Sequence, residues 1–154
     1  MPPLPSVSEW SVYKNERFGY RLVYPQSWFE PGPVSPNGDG RAFTTPEGDA
    51  RIVVFGAHNG ERMSLREYRA TLLEEYGDYE ELTYSPIGDT WFVLSGYSGD
   101  TIYYQKVMFS CGGRIINVLS ISFPAEDKPQ FSPMIEEAED RFRPGQGEDT
   151  PRDC

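Results

Sequence analysis

The sequence is poor in the residues that most chemistry needs. It has one histidine, His58, and two cysteines, Cys111 and Cys154, that form no C-x-x-C pair. Zinc binding and dithiol redox chemistry therefore lack their usual ligand spacing, and neither a metal nor a cofactor is expected. Only three lysines occur, and 14 Lys+Arg against 24 Asp+Glu leave a net charge of −10. That balance argues against nucleic acid and anionic membranes, both of which select concentrated positive charge. No apolar run approaches the roughly 20 residues that span a bilayer, so no transmembrane segment is expected. What the chain has in quantity is aromatic: 3 Trp, 10 Tyr and 9 Phe in 154 residues, too many for a disordered polymer.

The two cysteines permit one intramolecular disulfide, Cys111 to Cys154, which would anchor the C-terminal tail in an oxidising compartment. Cys154 could equally stay free or pair with another molecule. The opening Met1-Pro2-Pro3-Leu4-Pro5 carries no signal-peptide pattern. Either the protein is cytoplasmic, or it is an exported protein in mature form. Few lysines, many tyrosines and the pairable cysteines favour export.

The organisation follows from periodicity. Residues 1–9 read as a Pro-rich lead, 10–143 as one domain, and 144–154 as a polar tail that is mobile unless Cys154 is tied down. Trp10 to Tyr13 and Tyr20 to Tyr24 are rich in strand formers, and Pro25 closes the second. Glu30 to Gly40, dense in Pro and Gly, reads as a long loop. Arg41 to Thr45 and Arg51 to Phe55 flank the turn sequence Pro46-Glu47-Gly48-Asp49 and read as a hairpin.

Ser64-x-x-Glu67 is a capping box, and Leu65, Tyr68, Leu72, Leu73 and Tyr76 follow at helical spacing, with Gly77 placed as a C-cap. Four strands follow: Glu81 to Ser85, Trp91 to Tyr97, Ile102 to Phe109 and Ile115 to Phe123. In the last, Ile115, Asn117, Leu119, Ile121 and Phe123 share one face while Ile116 and Val118 share the other. The sheet must then be covered on both sides. A final helix is expected from Ser132 as cap and Pro133 at its first position to Phe142.

Tyr13-Lys14-Asn15 followed by Phe18-Gly19-Tyr20-Arg21-Leu22-Val23-Tyr24-Pro25-Gln26-Ser27-Trp28 resembles the opening of PsbP-like (Mog-like) domains. The loop Asn37-Gly38-Asp39-Gly40 with Phe43, the helix start Ser64-Leu65-Arg66-Glu67-Tyr68 and the two long adjacent strands extend the resemblance over roughly residues 10–143. It implies an α+β fold, an αβα sandwich with a central, mostly antiparallel sheet flanked by helices; the residues themselves read as Gly19 and Pro25 shaping strand ends and Trp28 plugging the sheet edge. It also implies a non-catalytic binding or accessory role, since known branches include a photosystem subunit, a small-GTPase binder and chaperones for secreted effectors. The binding surfaces of these branches differ, so no site residue carries over.

Candidate chemistry is weighed against that background. A hydrolytic triad would need His58 with Ser64 or Ser95, but no Gly-x-Ser-x-Gly elbow is present. Ser35-x-Asn37-x-Asp39-Gly40 imitates the start of a calcium loop, yet its twelfth position is Pro46, and a Gly-rich turn is the simpler reading. The acidic runs Glu74-Glu75, Asp78, Glu80-Glu81 and Glu136-Glu137-x-Glu139-Asp140 read as solvated faces. The aromatics Trp91, Phe92, Tyr97, Tyr103 and Tyr104 are the least ordinary feature. At least half of them are expected in the core, and core is the favoured reading for each; any left uncovered would supply contact area for a partner. The expected function is a non-enzymatic domain, exported, with another protein as partner. The alternatives are a small-ligand or carbohydrate-binding module that uses sheet aromatics, and a cytoplasmic chaperone for a secreted effector.

Overall fold

Nine strands and two helices follow from this patterning in a computed structural model that describes residues 9–75 and 79–154. β1 (Trp10–Lys14) and β2 (Arg21–Pro25) form an antiparallel ribbon. β3 (Glu30–Val34), β4 (Gly40–Thr44), β5 (Arg51–His58), β6 (Glu81–Tyr84), β7 (Trp91–Ser98), β8 (Thr101–Ser110) and β9 (Ile115–Pro124) make a second sheet. Its order is β3-β4-β5-β9-β8-β7-β6, antiparallel at every pairing, so the last strand in sequence is the central one in space. α1 (Leu65–Glu75) carries the chain from β5 across to the far edge, and α2 (Lys128–Arg141) follows β9.

The two faces of β9 sort the core as the alternation requires. Ile115, Leu119, Ile121 and Phe123 pack with β2 and with Phe131, Met134, Ile135 and Ala138 of α2. Ile116 and Val118 face the other way, toward Phe92, Val107 and Leu72 of α1. Phe123 and Phe131 stack with centroids 4.9 Å apart. Trp28 meets Phe131 edge-on and is 2% exposed.

Two expectations are corrected. Residues 30–34, read as loop, are edge strand β3. Pro31 and Pro33 are tolerated because an edge strand needs only one row of ladder donors, and the register shifts between Pro31 and Val34. The last helix begins at Lys128, not at Pro133, with Pro129 in its first turn and Pro133 inside it. Tertiary packing decides this, because Phe131 reaches Phe123, Trp28 and Phe29 from a position within the helix. The C-cap reading for Gly77 lies outside the described residues.

The quoted sequence motifs meet in space. Asn15, 1% exposed, accepts from the Phe18 amide at 2.7 Å and donates to the Gly38 carbonyl and to the Tyr13 hydroxyl, each at 3.0 Å. The Tyr20 hydroxyl donates to the Asp39 carbonyl, and Arg17 to that of Asn37. Residues 144–154 lie across the same turn. The Glu148 and Asp149 amides donate to the carbonyls of Glu16 and Arg17, and Cys154 lies against Cys111 with Cα atoms 4.5 Å apart, within disulfide reach.

Candidate functional site

Strand register explains why one sheet face is only half covered. Phe55, Val118, Val107 and Phe92 form a row across four strands, and every member is apolar. α1 lies over this row. Tyr68 packs its ring 6.4 Å from Phe92 and 5.9 Å from Phe109. Two residues along, the row is Val53, Ser120, Gln105 and Leu94; two further, it is Arg51, Ser122, Tyr103 and Gly96. Apolar side chains give way to Ser and Gln where α1 no longer covers them.

The result is a concave groove of about 650 Å³ with Phe55, Tyr68, Tyr79 and Tyr103 among its walls and Gln105, Ser120 and Ser122 along its polar side. Tyr79 is fixed there. Its hydroxyl donates to the Leu94 carbonyl at 3.2 Å and lies 3.3 Å from Gln105 Oε1, while its ring stands edge-on to Tyr103 at 6.3 Å. Gly96 permits this, since a Cβ there would come within 2.9 Å of the Tyr79 ring. Such a groove offers rigid aromatic surface with a few polar groups for orientation, the usual composition of a binding site.

The aromatics singled out from sequence divide accordingly. Tyr103 is in the groove and Phe92 lies buried under α1. Tyr104 and Trp91 belong to the opposite face, and Tyr97 is exposed on β7 beside the edge strand β6, where its hydroxyl donates to Glu81. That bond, with the charge of Glu81, raises the Tyr97 pKa. Burial does the same for Tyr20 and Tyr104. Tyr68, Tyr79 and Arg51 were missed. The signal available was the intrusion of Gln105, Ser120 and Ser122 at alternate positions of otherwise apolar strands.

Among the described residues, neither Ser64 nor Ser95 is hydrogen-bonded to His58. His58 ends β5, with Nε2 2.9 Å from Asp149 Oδ2 and its ring 5.2 Å from Phe18. Arg17 Nε donates to the same Asp149 oxygen at 2.9 Å. These two contacts, His58 first, hold the Asp149 carboxyl below the ordinary carboxylate range. Ser64 is committed to its helix cap, accepting from the Glu67 amide at 3.1 Å while Glu67 accepts from the Ser64 amide. Those bonds lower the Glu67 pKa. Ser95 aligns through Tyr104 and Ile121 with Ile52, six residues down β5 from His58.

In the calcium-like loop, Ser35 Oγ donates to Asp39 Oδ1 at 2.5 Å and accepts from the Gly40 amide, which makes it a hydrogen-bonded turn. Among the described residues, no group of three or more His, Cys, Asp or Glu side chains is placed to hold a metal, and no helix is long and apolar enough to cross a membrane.

No family model and no curated protein matches the sequence. Solved structures do match the fold. Cyanobacterial PsbP (CyanoP) from Synechocystis sp. PCC 6803 superposes with a TM-score of 0.66 at 13% identity, covering 91% of this chain and 95% of its own. The Saccharomyces cerevisiae Ran-binding protein Mog1p gives a TM-score of 0.54 at 13% identity, with 80% and 89% covered. A point mutant of Mog1 gives 0.58 at 12% identity, with 87% and 95% covered. The order of strands, the helix on each face and these superpositions together give the chain the PsbP/Mog1-like α+β fold.

Proposed function

We propose that this chain is a non-catalytic binding domain whose partner is another protein, and that it works outside the cytoplasm. The observation that carries the reading is the uneven cover of the sheet. α2 and the β1–β2 ribbon close one face, while α1 leaves the Tyr-lined groove open on the other. Tyr side chains supply large contact area at little entropic cost, which suits them to protein interfaces. The Ran-binding activity of Mog1p shows that a protein of this fold can serve a protein partner. Pairing of Cys111 with Cys154 as a disulfide supports export, because such bonds persist where the surroundings are oxidising.

The test is affinity capture from native extract with the wild-type protein and with Tyr103→Asp. One partner retained by the wild type and weakened about tenfold or more by Tyr103→Asp, with its compartment identified, is the expected outcome. Identical captures by both baits would overturn the groove as the contact surface.

A second reading has its own support. The groove volume falls within the roughly 300–1,000 Å³ typical of small-ligand sites, and Gln105, Ser120 and Ser122 could orient a neutral polyol over Tyr103. Saturable thermal stabilisation by a neutral oligosaccharide, lost in Tyr103→Ser, would favour it.

A further inference from the structure

Arg51 stands apart from the other residues of the groove. It is the one charged side chain among the described residues that line it, and it lies exposed at the start of β5. Among the described residues it enters no ion pair, side-chain hydrogen bond or ring contact, in a chain with 24 acidic residues to 14 basic ones. Strand register sets what lies beside it. Ser122 is opposite Arg51 on β9, and Tyr103 is opposite Ser122 on β8; in the next row Ser120 is opposite Gln105. Opposed residues have Cβ atoms about 5 Å apart, so these polar groups form one patch against the aromatic wall.

The hydrogen bonding of that patch is one-sided. Gln105 Oε1 lies 3.3 Å from the Tyr79 hydroxyl, while the Gln105 amide nitrogen donates to no described residue. The hydroxyls of Ser120, Ser122 and Tyr103 likewise donate to no described residue. No carboxylate lines the groove to receive any of these donors. A guanidinium donates and never accepts, whereas a carboxylate only accepts, carries the opposite charge and can pair with arginine through both oxygens. A carboxylate is therefore the group that this patch fits.

The spacing adds a second group. Two strand separations of about 4.8 Å each lie between Arg51 and Tyr103. In an extended segment, residues two apart point the same way at about 6–7 Å, and the length of an arginine side chain spans the difference. A carboxylate on Arg51 thus brings a side chain two residues away onto the aromatic wall.

We infer that the groove takes an extended segment of the protein partner in which an Asp or Glu stands two residues from an apolar side chain, the carboxylate on Arg51 and Ser122 and the apolar group against Tyr103. The inference rests on the protein-binding reading above and names the chemistry of that partner. The net charge of −10 opposes an acidic segment at long range. Binding is therefore short-ranged, and it persists in about 0.15 M salt, where the Debye length is about 8 Å.

The probe is a phage-displayed library of short random linear peptides, selected at that salt on the immobilised full chain. The wild type is expected to enrich Asp or Glu, with an apolar residue two positions away, about tenfold over the unselected library. Arg51→Lys should keep that preference, and Arg51→Glu should replace it by Lys or Arg at the same position. Circular dichroism shows whether each variant is folded; if Arg51→Glu is not, Arg51→Gln takes its place and should lose the acidic enrichment. No enrichment, enrichment of neutral or basic residues by the wild type, or unchanged acidic enrichment in the folded Arg51→Glu or Arg51→Gln variant would overturn the inference. So would saturable thermal stabilisation by hydrocinnamate with no peptide selected, which would make the groove a site for a small carboxylic acid. If acidic peptides are not selected while Tyr103→Asp still loses the captured partner, only this inference falls. If they are selected through Arg51 and no partner is captured from extract, the protein-binding reading fails and the chemistry of the groove stands.

Discussion

Asn15 shows how much one polar side chain can hold. In sequence it sits in a polar turn and looks solvated; in the structure it is buried and bridges β1, the Phe18 amide and the Gly38 carbonyl. Asn15→Ala removes three hydrogen bonds and strands buried partners, so a loss of about 2–4 kcal/mol in urea unfolding is expected. A loss below about 1 kcal/mol would show that the turn does not depend on it. Asn117 differs in legibility. Its position on an otherwise apolar face of β9 was visible from alternation, and its amide indeed donates to the Met108 carbonyl and to Ser110 Oγ, each at 3.0 Å. Asn15 gave no such sign because its burial depends on the distant loop 35–40, whose Gly38 carbonyl it reaches, and no local pattern reveals that. Lys106 is similar. It is buried among apolar neighbours only because Glu139 of α2 reaches it at 2.7 Å.

At the scale of elements, the C-terminal segment behaves as a strap. Gly19 receives it: with φ at +81°, and with a Cβ that would fall 2.3 Å from the Gln146 carbonyl carbon, only glycine fits there. The strap is fastened at Asp149 by His58 and Arg17. Because the folded-state pKa of Asp149 is lowered, this contact contributes fully above the ordinary carboxylate value of 3.8 and is lost as pH falls through the lowered one. Hydrogen exchange should show the Glu148 and Asp149 amides protected at pH 6 and released in strong acid. In Asp149→Asn, release should already be present at pH 6; equal protection in both proteins would exclude the carboxylate as the fastener. Strong local signals made α1 readable, namely the Ser64/Glu67 box and the Tyr68–Leu72 stripe. β3 and the start of α2 were not readable, because their prolines obey edge exposure and the demand of Phe131 for the core, which are tertiary conditions. The groove was half legible: its tyrosine was named, but its openness depends on where α1 stops.

For the whole molecule, Cys154 lies against Cys111 in the β8–β9 turn, across a separation of 43 residues, within disulfide reach. If the bond forms, replacing both by Cys111→Ser/Cys154→Ser should lower stability by about 2–4 kcal/mol, chiefly by freeing the unfolded chain. An unchanged urea midpoint under oxidising conditions would mean that the thiols are free.

The central position of β9 has a consequence for synthesis. Until residues 115–124 emerge, the chain holds β3-β4-β5 and β6-β7-β8 as two separate leaves, each with a bare inner edge where β9 will later sit. Neither leaf can bury its apolar faces, since α2 and the partner rows of β9 are also still missing. Closure of the sheet is thus postponed until β9 has been made. The unjoined leaves spend that interval exposed to mispairing, so this sheet is expected to form more slowly than one built by adding each strand beside the last.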